Sequence, residues 1–454
     1  MKADLSFPYA TEELHKLFPV LGNLENAVID SVVTNSKEAK KGALFVALRG
    51  EKNDGHEYLY DAVTNGASAV LTEVPFRDCH AGVVQYLVDD TAKALGKLAA
   101  MYKSRFNVKT VGITGSVGKT TTRLFLSSML GSRFRVHQTE GNYNNHIGLP
   151  MTILQMPKDT EILVLEMGMN HKGEIKHLSK LAKPDVGVIT NVGHAHVGQF
   201  KNAEDIYLAK LEIAEGMSGG FLLLPDNMPY YLQYFGIKKS LCGESESADY
   251  KLKKGKSAIV FPSRKEVLIR QKSNAFPFRW AALFSAAVCD LFGFSTEEIE
   301  RLLPLCPFPK SRLEDRWMDG IHLIDDAYNA SPESMREALL YMGQFSKRRM
   351  AFLGDMLELG DTAKSRHIEI GRQLAELGFD GVWLMGEYAE YTKEGAVEMG
   401  MAEKNIHIGD MESCIFDLAR TLKKGDTLLI KGSHGSGLWR AAEKLLKERK
   451  KEML

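Results

Sequence analysis

Apolar positions along this chain follow two periods, and the places where one replaces the other outline its elements. Short runs that are apolar nearly throughout, such as Val108–Ile113, Glu161–Gly168 and Asp185–Gly193, read as buried parallel strands. Segments where apolar residues return at helical spacing, such as Thr91–Arg105 and Ala363–Leu377, read as helices. Trp280–Phe292 is Ala-rich and apolar on more than one side, as a buried helix would be. Before Thr91 the chain mixes helices with the short strands Ala43–Leu48, Ala69–Leu71 and Val83–Val88. Pro304, Pro307 and Pro309 then punctuate it and predict a linker. Beyond them strands and helices alternate regularly, with strands at Ile321–Tyr328, Arg349–Met356, Gly381–Gly386 and Thr427–Ser433. That alternation predicts a doubly wound α/β sheet, with function at the C-terminal ends of its strands. Asp325, Asp326, Asn329, Asp355, Glu358, Lys431 and Ser433 stand at those ends.

Length and composition add bounds. A chain of 454 residues has room for about three domains, and the blocks above divide it at 1–105, 106–308 and 309–454. Lys plus Arg equals Asp plus Glu at 58 each, which gives no reason to expect a nucleic-acid or acidic-membrane partner. Cysteines 79, 242, 289, 306 and 414 are odd in number and show no CxxC spacing, which suits a reducing compartment. The start MKADLSFPYA has no apolar stretch after a basic segment, and no run long enough to span a bilayer occurs. A cytoplasmic, monomeric protein with no membrane insertion is the expectation.

The most informative chemistry is GITGSVGKTTTR, Gly112–Arg123, directly after an apolar strand. A Gly-rich turn running into a helix start holds polyphosphate: backbone N–H groups point inward and the helix dipole adds positive potential. Lys119 can then reach the terminal phosphates, and the Thr120 hydroxyl can hold magnesium. The first glycine of the full Walker spacing would fall at Ile113, so the loop is the shorter G-S-V-G-K-T-T form. ATP binding is the direct expectation. Glu166 ends the next strand, where nucleotide enzymes place a magnesium carboxylate. TEGNYNNHIGLP (Thr139–Pro150) is read as a ligand loop or a plain turn. His194 and His196 follow the strand of ITNVGHAHVGQF, where either a ligand or a structural role is open. Lys210, within AEDIYLAKLEI, reads on residue chemistry alone as a solvated helix lysine.

Taken in order, GSVGKTTT, EGNYNNHIGLP, EMGMNHKGEI, ITNVGHAH, AKLEI, DDAYNASPESM, LGDMLELG and KGSHGSG resemble the Mur ligase superfamily along nearly the whole chain. The likeness is greatest to its branch that adds D-alanyl-D-alanine to a UDP-N-acetylmuramoyl tripeptide in peptidoglycan synthesis. The resemblance implies three domains: one for the uridine-nucleotide substrate, a central P-loop ATPase-like parallel sheet, and a Rossmann-like domain for the incoming amine. It implies ATP, two magnesium ions and an acyl-phosphate intermediate, with the UDP-linked muramoyl peptide and D-alanyl-D-alanine as small-molecule partners. The phosphate loop would be Gly115, Ser116, Gly118, Lys119, Thr120 and Thr121. Thr120 and Glu166 would hold one magnesium and His196 the second, with His194 in a neighbouring slot. Lys210 would be a carbamate and an anionic metal ligand; Lys119, Glu166, His196 and Lys210 form the catalytic set. Arg312 would meet ATP phosphate and Asp326 the ribose. Asn142, Asn145 and Asn329 would contact ATP or substrate, with Asp355, Lys431 and Ser433 on the substrate side. In the first domain Ser36, Arg49, Asn53, Asp54, Gly55 and His56 would face the uridine nucleotide.

Several positions depart from the family pattern. Asn35-Ser36-Lys37 stands for the usual Asp-Ser-Arg, which loses a planar guanidinium fork. Pro277-Phe278-Arg279-Trp280-Ala281 replaces the polar His-Asn-x-x-Asn that frames adenine, leaving Phe278 or Trp280 as surfaces to stack on. Ser311 replaces a glycine before Arg312, and His434 replaces an arginine in KGSHGSG. Two alternatives follow: a paralogue running the same chemistry on another carboxylate or amine, or a non-catalytic ATP-binding scaffold.

Overall fold

The computed structural model describes residues 1–454 apart from 22–26, 51–52, 78–81, 193–202, 229–235, 254–256, 271–274, 346 and 453–454. It contains three sheets. The first has the spatial order Lys2–Ala10, Val28–Val33, Ala43–Val46, Ala69–Thr72, Val84–Leu87, Val20–Leu21, parallel across its middle and antiparallel at both edges. The last runs Glu314–Met318, Ile321–Asp325, Thr427–Lys431, Arg349–Leu353, Gly381–Leu384, Ile406–Ile408, parallel except at the Glu314–Met318 edge.

Between them lies a nine-stranded sheet in which Lys109–Thr114 pairs in parallel with Val186–Ile189 on one side and Ile162–Glu166 on the other. This pairing sets the site, because neighbouring parallel strands end at one edge and deliver their polar terminal residues together. Glu166 and the phosphate loop are therefore adjacent by register: Ile113 pairs with Glu166. The sheet continues through Phe221–Pro225, Lys238–Gly243, Tyr250–Leu252, Ala258–Val260 and Glu266–Leu268, the last two pairings antiparallel.

The helix expected at Trp280–Phe292 runs instead over Phe276–Leu291. Pro277 lies in its first turn, where a missing N–H costs nothing and the fixed φ favours entry. Pro304 stands within a short 3-10 turn, Leu303–Leu305. The buried faces of the central sheet run into both neighbours. Leu95, Leu98 and Tyr102 of helix Thr91–Ser104 share a core with Leu149, Met151 and Leu178. At Gly96 an added Cβ would lie 2.9 Å from Leu181 Cδ1, so the helix packs closely here and a larger residue would require that leucine to shift. The Tyr102 hydroxyl donates to Met156 O at 3.1 Å and accepts from Ser6 N–H at 3.1 Å. Among the described residues no helix is long and apolar enough to cross a membrane.

Candidate active site

The Gly-rich turn has the conformation its sequence demands. Gly115 and Gly118 have φ of 150° and 88°, values that side-chain-bearing residues rarely adopt. A Cβ on Gly115 would also lie 2.0 Å from Thr190 Oγ1. The next strand end brackets the turn: Thr190 Oγ1 donates to Val117 O at 2.6 Å, and Val117 N–H donates to Asn191 Oδ1 at 2.7 Å. Helix Lys119–Leu130 then starts beneath the turn, with its first N–H groups facing the cleft.

Lys119 Nζ donates to Gly115 O at 2.7 Å. Its partners there are neutral carbonyls, so the charge is held in place but not cancelled. Burial lowers its pKa, the negative Glu166 opposes that, and Arg312 adds to it. Thr120 Oγ1 donates to Glu166 Oε2 at 3.0 Å. Two side chains absent from the sequence reading also reach Glu166: Asn144 Nδ2 donates at 3.0 Å, and Arg123 Nε lies 3.5 Å away. The three asparagines of the 142–145 loop are alike in sequence, and only the fold singles out Asn144.

Lys210 is buried, contrary to the solvated lysine that residue chemistry alone suggests. Burial first, then the charge of Lys119, lowers its pKa well below the ordinary value, so the neutral amine is favoured. His194 and His196 lie outside the described residues. Among the described residues no three His, Cys, Asp or Glu side chains converge as a metal site. Thr120 and Glu166 nonetheless supply adjacent oxygen donors, the kind magnesium takes.

A cleft of ≈ 950 Å³ opens above these groups, with the C-terminal sheet forming its far wall. It brings together Ser116, Gly118, Lys119, Thr120, Thr121 and Glu166. Asn142, Asn145, Arg312, Asp326 and Asn329 line it as well, with Lys431 and Ser433. Lys431 Nζ donates to Asp326 Oδ2 at 2.6 Å and to Asn329 O at 3.0 Å, a buried pair at the centre of that wall. Burial raises the pKa of Asp326 and Lys431 opposes the rise. Arg312 lies over the Tyr328 ring at 4.3 Å, and Tyr328 is a cleft residue that sequence reading passed over.

Some candidates stand elsewhere. Asp355 does not line the cleft: its carboxylate accepts from the N–H groups of Glu387 and Tyr388 at 2.8 and 3.1 Å, fixing the loop behind it. Trp280 is likewise not a cleft surface, since it is buried with its indole N–H on Thr190 O and its ring against Phe276. Phe278 lies under the cleft wall, but its ring is buried too, packed against Phe308 and Phe125, so it offers no open face to stack on. Ser311, which replaces a glycine, has φ of 51° in the left-handed region, and its Oγ donates to Asp325 Oδ2 at 3.1 Å.

The first-domain candidates form a separate cluster. Asn53 flanks it beside the undescribed 51–52. Arg49 donates to Asp54 Oδ2 and Glu73 Oε2, each at 2.6 Å. His56 Nδ1 lies 2.5 Å from Asp54 Oδ1, and Nε2 accepts from Glu73 N–H at 3.0 Å. Gly55 sits where a Cβ would be 2.6 Å from Leu48 N, so the turn closes directly on the segment that follows strand Ala43–Val46. Ser36 is buried in the first turn after Asn35, whose side chain accepts from Lys37 N–H.

Three family models match in chain order: Mur ligase family, catalytic domain, at 28–103; Mur ligase middle domain at 113–275; and Mur ligase, glutamate ligase domain, at 311–434. The UDP-N-acetylmuramoyl-tripeptide–D-alanyl-D-alanine ligase of Bacillus subtilis is 35% identical over 431 residues, covering 91% of this chain and 92% of that protein. The same-named ligase of Synechocystis is 33% identical, covering 95% of each. Among solved structures, MurF ligase from Thermotoga maritima in complex with ADP superposes with TM-score 0.82 at 31% identity, covering 93% of this chain and 98% of that one. MurF from Acinetobacter baumannii gives 0.88 at 28% identity, covering 97% and 99%.

Proposed function

The chain belongs to the Mur ligase family, and from that premise we propose that it joins D-alanyl-D-alanine to UDP-N-acetylmuramoyl tripeptide with ATP. The observation that carries this reading is the cleft itself. It sets an uncancelled lysine, a Thr–Glu oxygen pair and the N-terminus of a helix against a wall holding Arg312 and the Lys431–Asp326 pair. In this reading residues 1–105 hold the uridine nucleotide, 106–308 hold ATP and 309–454 receive the amine.

The reaction divides into two displacements. A donor carboxylate oxygen bonds to the γ-phosphorus as the bond to ADP breaks. The amine nitrogen then bonds to the carbonyl carbon, inorganic phosphate leaves with that oxygen, and the amine loses a proton. Bringing a carboxylate to a polyphosphate opposes like charges, and Lys119, with the helix start behind it, offsets this. Magnesium, held by Thr120 and Glu166 and by His196 and a carbamate of Lys210, would neutralise phosphate charge. Lys210 suits that chemistry, because only an unprotonated amine adds carbon dioxide and burial favours that form. Arg312 from the far wall would meet the phosphates, and Asp326 the ribose.

The test is phosphate release from ATP by the purified protein with both substrates present and with each omitted in turn. Release that needs both, with a product of their summed mass, is expected. ATP binding without release would favour another carboxylate or amine, consistent with Pro277–Ala281 and His434 departing from the pattern.

A further inference from the structure

Residues 354–359 follow strand Arg349–Leu353, and Leu357, Glu358 and Leu359 form a cleft edge beside Ser433 and His434. The two loops touch: a Cβ on Gly435 would lie 2.8 Å from Leu357 Cδ1. Glu358 has φ of 65°, in the left-handed region that a residue with a side chain keeps only when its surroundings hold it there. Three backbone anchors precede it. The Asp355 carbonyl accepts from Ser433 N–H at 3.0 Å, and Leu357 N–H donates to Ser433 Oγ at 3.0 Å. Between them the buried Met356 N–H donates to His367 Nε2 at 3.0 Å. Ser433 lines the cleft, whereas His367 reaches the loop from behind, on helix Ala363–Glu376.

His367 fits this place in one state only. Its Nδ1 lies 2.7 Å from Ala363 O, which can only accept, and its Nε2 meets an N–H, which can only donate. The proton is therefore on Nδ1 and the lone pair on Nε2. The ring is buried and stacked on Tyr388, with centroids 4.8 Å apart. Asp355 Oδ1 lies 4.0 Å from Nε2, but that carboxylate is committed to the N–H groups of Glu387 and Tyr388. Burial lowers the histidine pKa, outweighing Ala363 O and the Asp355 charge, so the neutral ring is favoured. With both nitrogens spent and no face on the cleft, this side chain has nothing to offer a substrate directly. What it fixes is the backbone at Met356, one residue before the cleft edge.

We propose that His367, by accepting from Met356 N–H, is a positioning residue that sets Leu357, Glu358 and Leu359 for the incoming amine. This role rests on the ligase reading above, in which the amine enters beside Lys431 and Ser433. Without the acceptor, a buried N–H at Met356 is left without a partner. The loop can satisfy it only by shifting toward water, and that shift also releases the left-handed backbone at Glu358.

The test compares His367→Asn and His367→Gln in the full chain. Asparagine reaches only as far as Nδ1 and keeps the bond to Ala363 alone, whereas the longer glutamine can place its amide oxygen near Nε2 and keep an acceptor for Met356. Two readouts are taken: KM for each of the three substrates, and hydrogen exchange of the 354–359 segment by mass spectrometry. His367→Asn should raise the KM for D-alanyl-D-alanine about tenfold, with the KM values for ATP and the UDP-linked donor within about twofold, and should speed exchange of the segment about tenfold. His367→Gln should restore both readouts to within about threefold of wild type. An equal rise in all three KM values, or equal loss in the two variants, makes His367 a general support of the fold and overturns the proposal. Unchanged exchange in His367→Asn overturns it as well. Faster exchange with unchanged kinetics overturns the link to the amine and leaves the ligase reading standing. A wild-type protein inactive on this substrate pair overturns the ligase reading and the amine link with it, while exchange still reports whether His367 holds the loop.

Discussion

The phosphate loop and the 49–56 turn are both expected to hold nucleotide phosphate, yet they prepare for it in opposite ways. Lys119 rests on neutral carbonyls, so its charge is available to an incoming anion. Arg49 is already neutralised by two carboxylates at 2.6 Å, Asp54 and Glu73. A phosphate arriving at the loop displaces weak acceptors, whereas one arriving at Arg49 competes with anions of its own kind. The difference teaches that a basic residue in a nucleotide-binding segment marks a binding contact only when the fold leaves its charge unspent. By that measure the loop is a primed site and Arg49 is first a strut.

The largest expected effect is on the primed side. Lys119→Ala should lower ATP-dependent phosphate release by about a thousandfold or more, read alongside ATP affinity and melting temperature to separate catalysis from folding. Next comes Gly115→Ala, whose new methyl group would meet Thr190 Oγ1 at 2.0 Å in a backbone conformation of φ 150°. Weaker ATP binding by about a hundredfold is expected from calorimetry, since the turn must open to admit that atom. Arg49→Gln is the mutation that would break the comparison. A strut predicts a lower melting temperature and a change in donor KM of less than about tenfold; a donor affinity that collapses as far as ATP affinity does in the loop variants would make Arg49 a primary phosphate contact.

The smallest effect concerns acid. Hydrogen bonds from the His56 backbone and ring lower the Asp54 pKa from 3.8. Glu73 is also lowered from 4.5, because bonds from Thr91 and Arg49 outweigh the opposing burial. Depressed carboxylates stabilise the fold above their unfolded pKa values and lose that contribution as pH falls below them. Amide exchange at His56 and Thr91 should therefore accelerate as pH drops through 4.5 and then 3.8, beyond the intrinsic rate change. Unchanged protection across that window would mean the carboxylates do not organise the turn.

What the sequence made legible follows the same division. The Gly-rich turn, its strand and Glu166 were readable because their function depends on local backbone geometry and on one parallel register. The alternating C-terminal segment was readable for the same reason. The small strands Tyr250–Leu252, Ala258–Val260 and Glu266–Leu268 were not, since three residues are too few to show a period. The asparagine that reaches Glu166, the burial of Lys210 and the capture of Asp355 by a neighbouring turn are long-range facts. Nothing within a few residues of Asn144, Lys210 or Asp355 encodes them. Trp280 illustrates the converse: an aromatic expected to stack on a base is instead needed to anchor the helix to the strand end at Thr190.

The central claim is that a donor carboxylate attacks ATP within this cleft, and the most direct test follows that oxygen. Turnover with a muramoyl tripeptide carrying heavy oxygen in its terminal carboxylate should yield inorganic phosphate containing one labelled oxygen, read by mass spectrometry, alongside the amide product. Amide product formed with unlabelled phosphate would contradict the account, because the carboxylate would not have bonded to phosphorus.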